Sequence, residues 1–70
     1  MIERQPVSSS TVKSIGYDPD EKVMAVEFKD GSVYHYHDVE SDTHEGLMGA
    51  KSIGSHLHKN IKGVYKVSKQ

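Results

Sequence analysis

The stretch Phe28-Lys29-Asp30-Gly31-Ser32-Val33-Tyr34-His35-Tyr36-His37 decides how this chain folds. Asp-Gly between two strand-like runs marks a β-hairpin, and its return strand alternates two tyrosines with two histidines. Successive strand residues face opposite sides of a sheet, so both tyrosines share one face and both histidines the other. The turn allows two registers. A two-residue Asp30-Gly31 loop pairs Lys29 with Ser32 and sets Tyr34 and Tyr36 beside Glu27 and Ala25. A three-residue Lys29-Asp30-Gly31 turn with a glycine bulge pairs Phe28 with Ser32 and sets the tyrosines beside Val26 and Met24. A slip of one residue exchanges the faces. The first register asks His35 and His37 to line the core, where imidazoles need partners that the sequence does not supply. The second gathers Met24, Val26, Phe28, Tyr34 and Tyr36 on one apolar face, and it is the register expected.

Working outward, Lys22–Lys29 reads as the hairpin's first strand and Thr11–Tyr17 as the strand before it, separated by the breaker Asp18-Pro19-Asp20-Glu21. Beyond Val39, Asp42 is expected to cap a helix with Glu45 as its capping partner, running through Leu47 and Met48 to about Ala50. Ser52-Ile53-Gly54-Ser55 reads as a break, with Ser55 capping a second short helix through Asn60. Ile61 then closes the core, and Gly63 turns the chain into a last strand over Val64–Val67. The expected architecture is α+β: an antiparallel sheet of three to four strands with two short helices packed on one face, in the order βββααβ. One domain over residues 1–70 is expected, frayed at 1–6 and 68–70.

A chain of 70 residues without cysteine has neither disulfides nor zinc thiolates to reinforce a small core. Self-association into a homo-oligomer is therefore an expectation. No segment is long and apolar enough to span a bilayer, and Met1–Pro6 lacks the apolar run of a signal peptide. A cytoplasmic protein with no membrane partner is expected. The formal charge of −1 conceals an asymmetry, because residues 1–50 carry all ten acids against four bases, whereas residues 51–70 carry five lysines and no acid. Such a split points to an anionic partner for the C-terminal segment, or else to two segments that neutralise each other across the fold.

His35 and His37 have a spacing that can chelate a metal from a strand, but a closed site needs further ligands, and His56 and His58 point apart on a helix. Solvent-facing histidines are the simpler reading, and no metal or cofactor is expected. No serine lies in a nucleophile elbow, and Asp18 and Asp20 sit in a turn, so no catalytic residue is assigned and an enzyme is not expected. The candidate anion or nucleic-acid site is Lys51, Ser52, Gly54, Ser55, Lys59 and Lys62. Small residues ahead of a short helix leave backbone N–H groups free, and nearby ammonium groups add charge. The plainer alternative is a helix–helix turn with a serine cap. Tyr17 and Tyr65 are the tyrosines left available for base stacking, since the register turns Tyr34 and Tyr36 toward the covered face.

Val7-Ser8-Ser9, Ser14-Ile15-Gly16-Tyr17-Asp18, Val26-Glu27-Phe28, Asp30-Gly31-Ser32, Tyr34-His35-Tyr36, Ala50-Lys51-Ser52, Gly54, Asn60-Ile61-Lys62 and Tyr65 follow one another in an order that resembles the KTSC domain. That family takes its name from the C-terminus of some lysyl-tRNA synthetases and also occurs as free-standing small proteins of bacteria and their phages. Two features depart from its pattern: Val39 precedes Glu40 rather than proline, and Ser55-His56-Leu57-His58 stands where aromatics are common. The resemblance implies no catalytic residue, and RNA binding from the synthetase context. The expected function is thus a non-enzymatic binding module for RNA or another phosphate-bearing ligand. The rivals are a protein-interaction or self-associating module with no nucleic-acid role, and a small nucleotide binder.

Overall fold

The computed structural model describes residues 2–70. Five antiparallel strands form one sheet in sequential order: β1 (Arg4–Pro6), β2 (Val12–Asp18), β3 (Val23–Phe28), β4 (Val33–Tyr36) and β5 (Val67–Lys69). Two helices, α1 (Ser41–Met48) and α2 (Ile53–Asn60), are inserted between β4 and β5 and cover one face. The fold is α+β, with one strand more than the upper expectation. Edge strand β1 lies within the first of the two ends expected to fray, and β5 overlaps the second at Ser68 and Lys69. Each is three residues long and exposed throughout, so it is held by backbone pairing rather than by side-chain burial. Pro6 lies in edge strand β1, where a missing N–H is tolerated. The last strand starts three residues later than expected, at Val67 instead of Val64.

The hairpin adopts the bulged register. Val26 pairs with Tyr34 and Met24 with Tyr36, while the Phe28 N–H donates to the Ser32 carbonyl at 2.8 Å. Gly31 closes the turn at φ +95°, which costs glycine no Cβ clash, and its N–H donates to the Phe28 carbonyl at 3.0 Å. Tyr36 is consequently 3 % exposed among the core side chains Ile15, Met24, Val26, Val39, Leu47, Ile53, Leu57 and Ile61. His35 and His37 fall outside the core, with His37 Nε2 2.9 Å from Ser68 Oγ.

Val12 joins that core although it lies three residues before Ile15, a spacing that strict alternation would place on opposite faces. An irregularity between Val12 and Ser14 absorbs the extra residue, so Val12 pairs with Phe28 and turns inward. The Lys29 N–H, donating to the Thr11 carbonyl at 2.9 Å, ties the hairpin tip to the start of β2.

The helix caps differ from expectation. Helix α1 begins with Glu40 as N-cap and without a side-chain cap bond, and Asp42 lies inside the first turn. Tertiary contacts set this start. Val39 is buried, its N–H donates to the Lys22 carbonyl at 2.9 Å, and Lys22 Nζ reaches Glu40 Oε1 at 3.1 Å. Asp42 still favours the helix by placing negative charge at its positive end. Helix α2 is capped by Ser52, whose Oγ accepts from the Ser55 N–H at 3.4 Å, so Ser55 is the third helical residue and not the cap.

Candidate functional site

Helix α2 packs on the sheet through Ile53, Leu57 and the following Ile61, but it does not cover the hairpin tip. A cleft of about 850 Å³ opens there, between the ends of β3 and β4, one side of α2 with the Lys62-Gly63 turn after it, the Ser10-Thr11 loop and Val67 of β5. Phe28 and Tyr34 form its aromatic wall, with ring centroids 5.5 Å apart and planes 79° apart, and Tyr36 continues that wall into the core. Burial pushes the Tyr36 hydroxyl above the usual phenol range, and the neighbouring Tyr34 adds to the effect. Lys29, Asp30 and Ser32 border the cleft on the hairpin side, and Ser52, Gly54, Ser55, His58 and Lys62 on the helix side.

Of the six residues singled out from the sequence, Ser52, Gly54, Ser55 and Lys62 line this cleft. Lys51 lies beside it, bordering a shallower hollow of about 350 Å³ with Ser8, Ser9, Ser10, Ser52 and Ile53. Lys59 is exposed in the last turn of α2 and lines neither space. Gly54 has a packing explanation. A Cβ at that position would meet Thr11 Oγ1 at 2.7 Å and Ser9 Oγ at 3.3 Å, so glycine lets the loop rest against the helix.

Sequence reasoning passed over the hairpin's share of the site: Phe28, Lys29, Asp30, Ser32 and Tyr34. The register had placed Phe28 and Tyr34 on the helix-covered face, and what could not be read was how far α2 extends over it. The two tyrosines left over for stacking are engaged internally. Tyr17 stacks on His44 at a centroid distance of 4.8 Å and donates its hydroxyl to the Val39 carbonyl. Tyr65 packs on the core, its hydroxyl 3.4 Å from Thr43 Oγ1. Among the described residues, no group of three or more His, Cys, Asp or Glu side chains is placed to share a metal ion. None of the described helices is long and apolar enough to cross a membrane.

The family model for the KTSC domain matches residues 8–65. The chain belongs to the KTSC domain family. The crystal structure of a KTSC domain protein from Yersinia pestis superposes with a TM-score of 0.94 at 39 % identity, covering 100 % of this chain and 99 % of that one. An uncharacterised protein of Stutzerimonas stutzeri is 34 % identical over 61 residues, which is 87 % of this chain and 86 % of that protein. A lysine–tRNA ligase of Nostoc sp. is 39 % identical over 57 residues, 81 % of this chain but 10 % of the ligase. The KTSC match thus spans all of β2, β3, β4, α1 and α2, including every cleft-lining residue except Val67.

Proposed function

We propose that this KTSC domain is a non-enzymatic binding module that holds one or two nucleotides of single-stranded RNA in the cleft between the hairpin tip and α2. The observation that carries the reading is an aromatic wall, Phe28 and Tyr34, flanked by Lys29 and Lys62. Unstacked bases pack on aromatic side chains, and ammonium groups meet the phosphates. The volume is that of a small-ligand pocket, too small for a duplex. That a lysine–tRNA ligase carries a related segment adds support, because tRNA presents unpaired ends and loops.

The test is fluorescence anisotropy with a labelled RNA hexamer, on the wild type and on Tyr34→Ala, Lys62→Glu and Lys59→Glu. Loss of one stacked base weakens binding about tenfold in Tyr34→Ala. Lys62→Glu weakens it comparably, and Lys59→Glu, outside the cleft, has little effect. Two phosphate contacts give a slope of log K against log salt near about −1.4. Negligible binding by all four proteins, or equal losses from Lys59→Glu and Lys62→Glu, would sink the cleft reading. A thermal-shift series with free nucleotides separates an RNA site from a mononucleotide site.

Self-association is the second reading. Val67, on edge strand β5, and Val64, three residues before it, are 50 % and 65 % exposed. A dimer in sedimentation velocity that Val67→Lys dissolves supports it.

A further inference from the structure

Asp30 sits at the tip of the hairpin and lines the same cleft as Phe28 and Tyr34. Ser32 donates to its Oδ1 twice, from the backbone N–H at 2.9 Å and from the hydroxyl at 2.5 Å. Both lone pairs of Oδ1 are thereby engaged and the carboxylate is held in one orientation, while among the described residues Oδ2 has no hydrogen-bond donor. The Ser32 bonds hold the carboxyl below its usual range, and Lys69 assists, so it is charged at neutral pH.

An ionised carboxylate accepts hydrogen bonds and donates none. It repels phosphate, so a nucleotide in this cleft must direct its phosphate toward Lys62 or Lys29 and bring something else to Asp30. Beside two aromatic rings, the group that suits a free carboxylate oxygen is the N–H edge of a stacked base. We infer that Asp30 reads the base, accepting a hydrogen bond from the exocyclic amino group of cytosine, adenine or guanine and disfavouring uracil. Uracil flanks its single ring N–H with two carbonyl oxygens, and these face Asp30 with like partial charge. This inference deepens the RNA reading above and rests on it.

The experiment compares labelled cytidylate and uridylate hexamers on the wild type and on Asp30→Asn. Asparagine keeps a side-chain acceptor for Ser32, so the turn is retained, and Asp30→Ser serves as a second variant should the first lose stability. The wild type binds the cytidylate oligomer about tenfold more tightly. In both variants the ratio falls to about twofold or less, largely through a gain for uridylate, because the asparagine amide and the serine hydroxyl can also donate. An unchanged ratio in the variants, or no preference in a wild type that binds both, overturns the role of Asp30 and leaves the RNA reading standing. No binding of either oligomer at low salt overturns both.

Discussion

At the scale of single residues, His44 shows how a polar side chain is used to build this small core. Its ring stacks on Tyr17 with planes 10° apart, while the Tyr17 hydroxyl satisfies the Val39 carbonyl between β4 and α1. Burial lowers the His44 pKa below the ordinary 6.5, with Glu45 working weakly against it, and burial lowers that of His35, helped by His37 and Arg4. A depressed folded-state pKa means that the unfolded chain takes up the proton first. The stability contributed by both neutral rings is therefore fully present above about 6.5 and lost as pH falls toward their folded values. Asp30 acts in the same direction but only below its ordinary 3.8. The urea midpoint should be lower at pH 5.5 than at pH 7.5, and His44→Gln should narrow the difference. A pH-independent midpoint in the wild type would contradict this account of the two histidines.

At the scale of elements, α2 has two candidate caps in its first turn, and they make separable demands. Ser52→Ala removes the side-chain bond to the Ser55 N–H and costs about 1 kcal/mol, read by chemical denaturation. Ser55→Ala leaves that bond intact, and its cost should be no more than a few tenths of a kcal/mol. A larger loss from Ser55→Ala would return the cap to the position that sequence pattern favours. The contrast marks what local pattern conveys. The register of β3 and β4 could be read because Met24, Val26, Phe28, Tyr34 and Tyr36 share one face only in the bulged alignment, and two imidazoles stand against the other. Edge strand β1 could not, and β5 was read only three residues early, because three exposed residues carry no apolar alternation to fix their bounds. The start of α1 could not either, since Val39 and Lys22 fix it from across the fold.

Across the whole molecule, the lysines of the basic C-terminal segment do not line a single cavity. Lys62 borders the cleft, Lys51 the neighbouring hollow, and exposed Lys59 lines neither. Sequence proximity brought these lysines together, whereas the fold distributes them and introduces Lys29 from the hairpin. The cleft itself is a product of tertiary packing: α2 stops short of Phe28 and Tyr34, and no local pattern encodes that distance. The most direct measurement is the change in backbone amide resonances of the ¹⁵N-labelled protein on adding an unlabelled RNA hexamer. Binding in the cleft requires shifts concentrated at Phe28–Tyr34, Ser52–His58 and Lys62–Val67. Shifts centred on Ser14, Ala25 and Glu27 of the opposite sheet face, or no shifts at low salt, would contradict it.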